Sequence, residues 1–134
     1  MKGPTMPAFN SQVLVAAEHL TIACHGISSN CGWWTDLASG KSLIDRKPIP
    51  ELLMLVVSEL GEAMEGHRKG LMDDKLPHRS MLEVELADAV IRIFDMAGGM
   101  HLDVAGAIAE KLAYNATRED HRPEVRAQHG GKKY

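Results

Sequence analysis

Apolar side chains recur every three or four residues through most of this chain, and no stretch alternates long enough to read as a strand. Val13, Ala16, Ala17, Leu20 and Cys24 set that period in a first predicted helix over 8–29. The connection over 30–48 is polar and contains glycine, and a loop of that length in a small domain is usually functional or mobile. A second helix is predicted over 50–70, with Pro50 suited to its first turn and Gly70 at its end. Pro77 is expected to open a third helix over 77–98, ended by Gly98 and Gly99. Asp103 can cap a fourth over 103–121, and Pro123 lies just beyond it. The polar tail 123–134 is expected to be extended or loosely docked. The pattern predicts one all-α domain over 1–134, a four-helix bundle.

The third helix is apolar on nearly every side, through Val84, Leu86, Ala87, Val90, Ile91, Ile93, Phe94 and Ala97. A helix buried all round needs more neighbours than a lone four-helix monomer supplies, so oligomerisation through this helix is expected. With two Phe, two Tyr and two Trp against eight Met, the core is expected to be aliphatic.

Charge and composition exclude some partners. A net charge of −3 provides no global basic field for a nucleic-acid polymer or an anionic membrane. The apolar runs are too short to span a bilayer, and Met1 to Asn10 lacks the pattern of a signal peptide. Cys24 and Cys31, without such a signal, read as free thiols, and a cytoplasmic location is expected.

Against this background four acids stand out. Glu59 and Glu62 lie three residues apart on the second helix, and Glu85 and Asp88 do so on the third. Glu59 falls among Leu52, Leu55, Val56 and Ala63, and Glu85 shares a stripe with Met81, Leu82, Ala89 and Met96. Inward carboxylates are costly unless a cation offsets them, and oxygen-only ligands suit Mg2+ or Mn2+. A di-iron carboxylate bundle needs Glu-x-x-His, and no histidine lies three residues after a Glu.

On the fourth helix Lys111, Asn115 and Arg118 fall within about 60° of one another. Alone they read as an exposed basic face; beside an acidic metal site they suit a polyphosphate. Trp33 and Trp34 lie in the long loop, either as a staple on the core or, with His25, as a platform for a nucleobase. Arg92, between Asp88 and Asp95, either neutralises them or reaches a substrate. Lys69, near the turn between the acidic helices, is a further candidate phosphate contact.

With these residues assembled, the chain resembles the all-α nucleoside triphosphate pyrophosphatases, the MazG-like proteins and their dCTP- and dUTP-hydrolysing relatives. The resemblance rests on Glu59-Leu60-Gly61-Glu62, on Glu85-Leu86-Ala87-Asp88, and on Lys111, Asn115 and Arg118 matching K-x-x-x-N-x-x-R. The terminal Gly-Gly-Lys-Lys-Tyr also resembles the end of the dCTP pyrophosphatase branch. It covers 50–134 well and the preceding helix and loop only in outline. It implies a four-helix bundle, dimeric or tetrameric, that uses Mg2+ to cleave a nucleotide between its α- and β-phosphates. Glu59, Glu62, Glu85 and Asp88 would then be metal-binding and catalytic, with the basic residues on the substrate. Ser58 stands where many members carry a further Glu, which leaves the general base open. Two other readings stay in view: a helical interaction module held by salt bridges, and a hydrolase of another pyrophosphate-containing metabolite.

Overall fold

A computed structural model describes residues 6–134, with side chains from Asn10 onward. It contains α1 (Met6–Asn30), α2 (Ile49–Lys69), α3 (Met81–Gly99), α4 (Val104–Thr117), a 3-10 turn over Glu119–His121 and α5 (Pro123–Arg126). The described chain is all-α; its β pairing consists of two isolated bridges, Thr35 with Ser42 and Met72 with Ser80. None of its helices is long and apolar enough to cross a membrane. The chain forms two compact units, one over Leu20–Leu102 and one joining the start of α1, through His19, to Asp103–Tyr134.

The first of these units is built on α2 packed along α3. Gly70, in the left-handed conformation, ends α2 where Gly was expected to stop it. The start of α3 differs from expectation. Ser80 accepts from the Glu83 amide while the Glu83 carboxylate takes the Ser80 amide, and this capping box opens the helix at Met81. Pro77 lies in the preceding turn, where Asp73 accepts from the Lys75 and Leu76 amides. The two helices approach closely: a Cβ on Gly66 would sit 2.8 Å from Met81 Cβ. Only glycine fits that crossing without pushing the helices apart.

The buried apolar set departs from the aliphatic core expected. In this unit it consists of Trp34, Ala63, Ala89, Phe94, Met96 and Ala97. Small residues let the helix backbones come together, and the large aliphatic side chains fall on other faces. Leu53, Val57, Leu60 and Met64 form one stripe along α2 that is about half exposed. On α3, Leu86, Val90 and Ile91 are also exposed.

In the other unit Asp103 caps α4 by accepting from the Gly106 amide, as expected. α4 ends at Thr117 rather than running to residue 121, and the 3-10 turn follows. The tail begins as a short helix rather than extended, and its last three residues are exposed. It folds through α5, and the Arg126 guanidinium donates to the carbonyls of Lys132 and Lys133 at 3.1 and 3.0 Å.

Candidate functional site

The seam between α2 and α3 carries the acids. Glu59 lies on the same face of α2 as the buried Ala63 and Gly66, and is only 7% exposed. Across the seam, Glu85 and Asp88 are half-buried, one turn apart on α3. One carboxylate oxygen from each of Glu59, Glu85 and Asp88 lies within 4.8 Å of the other two. Arg92, one turn beyond Asp88, donates its Nε proton to Glu59 Oε1 at 2.5 Å. Glu62 is exposed at the rim and interacts with Glu59 and Glu85.

One guanidinium does not balance this much negative charge. Burial, a hydrogen bond with Glu59 and repulsion from Glu62, Glu59 and Asp88 push the Glu85 carboxyl up to about 7. Burial and the Glu59 charge also raise Asp88, against the pull of Arg92. Burial pushes Glu59 up too, but the Arg92 hydrogen bond and those with Glu85 and Glu62 outweigh it and hold this carboxyl low. Glu85 and Asp88 therefore give up their protons less readily than ordinary carboxyls do, and a cation among them would relieve the repulsion.

Its donor set is hard oxygen only, which suits Mg2+. Oxygens ligating one Mg2+ at about 2.1 Å stand about 3.0 Å apart when adjacent and about 4.2 Å when opposite, so three carboxylate oxygens spread over up to 4.8 Å would have to draw in to share an ion. Ser58, where a further Glu was noted as missing, turns its hydroxyl to Leu55 O at 2.6 Å and takes no part.

The remaining candidates are placed as follows. Arg92 belongs to the acid cluster, paired with Glu59 rather than with Asp95. Lys69 is exposed in the last turn of α2 and pairs with Glu65. Trp34 is buried, with its Nε1 donating to Asp95 Oδ1 at 2.7 Å and Lys47 Nζ 4.3 Å from its ring centroid. A Cβ on Gly99 would lie 2.1 Å from the indole and one on Gly98 would lie 2.5 Å from His25, so these two glycines, at which α3 ends, also leave room for the loop tryptophan and for α1. His25 sits edge-on to Trp34 and bonds Asp95 through Nδ1 at 3.0 Å. Those contacts fit the staple reading of Trp34; Trp33 is exposed.

Lys111, Asn115 and Arg118 lie in the other unit, on α4 and its C-terminal cap. Lys111 Nζ and the Arg118 guanidinium carbon stand 4.9 and 5.7 Å from the centroid of the Tyr114 ring. Asn115 Oδ1 is buried with no hydrogen-bond partner among the described residues.

Sequence reasoning passed over two groups. Asp95 accepts from His25, Ser28 and Trp34, and its signal was an acid three residues beyond Arg92 on the apolar third helix. Asp120 binds Arg118 and Lys132, and no helical spacing marks that cluster. Both cysteines are free thiols. No protein-family model, curated protein or solved structure matches the chain.

Proposed function

We propose that this protein is a Mg2+-dependent nucleoside triphosphate pyrophosphohydrolase, taking a (d)NTP to the monophosphate and pyrophosphate. The observation that carries this reading is the meeting of Glu59, Glu85 and Asp88 on one helix seam with more negative charge than Arg92 offsets. Glu59, Glu85 and Asp88 would hold Mg2+, with Glu62 at the rim. Mg2+ there would draw charge from the phosphate oxygens and acidify a water.

In the reaction a water oxygen bonds the α-phosphorus, and the bond from that phosphorus to the bridging oxygen of the β-phosphate breaks. Pyrophosphate leaves with that electron pair, and the water proton passes to a carboxylate of the site. Arg92 keeps Glu59 ionised and so available as a ligand. The resemblance gives Lys111, Asn115 and Arg118 the phosphate and sugar contacts, with Lys69 as a further cation. Trp33, exposed beside the stapled Trp34 and His25, is the ring that can stack on a base.

A panel of NTPs and dNTPs with Mg2+ tests this reading. Monophosphate plus pyrophosphate is expected from at least one member, with none in EDTA. Release of inorganic phosphate instead would point to a different scissile bond, and no metal-dependent turnover with any nucleotide or other pyrophosphate-containing metabolite would leave the helical interaction module as the better account.

The proposed enzyme is a homodimer or homotetramer. On α3, the helix through which oligomerisation is expected, Leu86, Val90 and Ile91 are exposed, and on α2 the stripe of Leu53, Val57, Leu60 and Met64 carries no charge along about three turns, so a second copy of the chain offers these faces a matching surface. Wild-type protein is expected to sediment as a multiple of the 14.7 kDa protomer. A Val57→Glu, Leu60→Glu double variant is expected to sediment as a smaller species, because assembly would bury two unpaired carboxylates per chain. Equal masses for the two proteins would remove the α2 face from the interface.

A further inference from the structure

At the end of α4, the side chains of Arg118 and Lys132 meet on one carboxylate. Arg118 donates from Nε and Nη2 to the two oxygens of Asp120 at 2.9 and 2.7 Å. Lys132, from the C-terminal tail, reaches Asp120 Oδ2 at 2.8 Å. Earlier on α4, Lys111 packs its ammonium on the ring of Tyr114, the same ring that the Arg118 guanidinium packs on. With Asp120 counted, the group keeps a surplus of two positive charges.

A fork of two parallel N–H donors with an ammonium beside it is the arrangement that binds phosphate oxygens, and a carboxylate presents a similar pair of acceptors. We propose that Lys132, delivered by the tail, completes with Arg118 and Lys111 a binding site for a phosphate chain, whose place the Asp120 carboxylate holds when no ligand is bound. This rests on the phosphate role given to Lys111 and Arg118 above and adds to it a residue and an internal competitor.

A purely structural clamp is the weaker explanation. Lys132 and Asp120 are each about half exposed, and ion pairs so exposed contribute little to stability. The tail is already anchored without Lys132's ammonium, because Arg126 holds the carbonyls of Lys132 and Lys133. Hydrogen bonds from Arg118 and Lys132 keep the Asp120 carboxyl far below the usual range, so it remains an anion that a stronger one must displace. Its exposure gives it solvent to turn into.

The test is calorimetric titration of the full-length protein with inorganic tripolyphosphate in EDTA. Lys132→Gln is expected to weaken binding about tenfold, the loss of one charge-assisted contact, and Lys132→Arg to restore it. Lys133→Gln removes the same charge one residue away and is expected to change binding by less than about twofold. Asp120→Asn, which removes the competitor, is expected to tighten it. The proposal is overturned if wild type does not bind tripolyphosphate, if Lys132→Gln binds as wild type does, or if the Lys132 and Lys133 variants lose affinity equally. Weaker binding by Asp120→Asn would also overturn it, since that marks a clamp. The assay involves neither metal nor turnover, so the hydrolase reading and this site can fail separately.

Discussion

Replacing Glu85 with Gln is expected to cut Mg2+-dependent release of pyrophosphate by roughly a hundred- to ten-thousand-fold while leaving the helices in place. The glutamine keeps the shape of the side chain on α3 and loses the charge that a metal ligand needs. Its effect on stability has a sign that separates this site from an ordinary salt-bridge network. In the metal-free fold the Glu85 carboxyl sits at about 7, above its ordinary 4.5. A raised acid contributes stability that is fully present below the unfolded value and is lost as pH rises through the folded one. Asp88 is raised as well and acts in the same direction, whereas the lowered Glu59 acts in the opposite one. The metal-free wild type is therefore expected to lose part of its stability between about pH 4.5 and 7 through Glu85.

Glutamine stands in for the protonated acid. At pH 8 without metal, the Gln variant is expected to melt above wild type; at pH 4 the two converge. Adding Mg2+ at pH 8 is expected to raise the wild-type Tm and to do much less for the variant, because binding to the native state stabilises it. Thermal melts across pH, with Mg2+ and with EDTA, read all of this. Full turnover by Glu85→Gln, or a wild-type Tm indifferent to Mg2+, would sink the metal site.

How far such a site is legible in one sequence depends on the range of the forces that build it. The i, i+3 spacing of Glu59 with Glu62 and of Glu85 with Asp88 is a local fact, and so is the apolar company of Glu59 and of Glu85. The Gly70 stop and the Asp103 cap are equally local, and both stand where expected. The opening of α3 was legible too, in the Ser80-x-x-Glu83 capping box, but Pro77 competes with it on paper. Proline at a first turn only tolerates a helix; the box satisfies two amides that would otherwise lack partners, and it decides the boundary.

What was not legible depends on distant partners. That the core would be alanine-rich follows from the close crossing at Gly66 and Met81, and no periodicity encodes a crossing distance. The contacts of the tail, Arg126 to two carbonyls and Lys132 to Asp120, follow no helical spacing that a sequence displays. Trp34 could be a base platform or a staple until Gly99, far along the chain, is seen to leave room for it.

That seat makes Asp95 the position where a single truncation is expected to cost the fold most. Its Oδ1 accepts from Trp34 Nε1 and is bonded to His25 Nδ1, and its Oδ2 accepts from Ser28 Oγ at 2.7 Å. One carboxylate thus ties the end of α1, the long loop and α3 together. Asp95→Ala would leave three polar groups without their acceptor in a half-buried place, at about 2–4 kcal/mol in total after allowing for partial access of water. For a chain of this size that lowers Tm by about 10 °C. Asp95→Asn is expected to cost less, since its carbonyl oxygen can still serve His25 and Trp34, while the Ser28 hydroxyl can turn to accept from the amide. Emission from Trp34 in a Trp33→Phe background gives a second readout. Trp34 is 2% exposed, so its emission is expected to shift to longer wavelength in Asp95→Ala and to hold in Asp95→Asn. An unchanged melt and an unchanged spectrum in Asp95→Ala would mean that packing against Gly99 alone holds the indole, with the carboxylate a bystander. The three hydrogen bonds on one acid argue the other way, because an indole N–H facing the helix end needs an acceptor, and among the described contacts Asp95 supplies it.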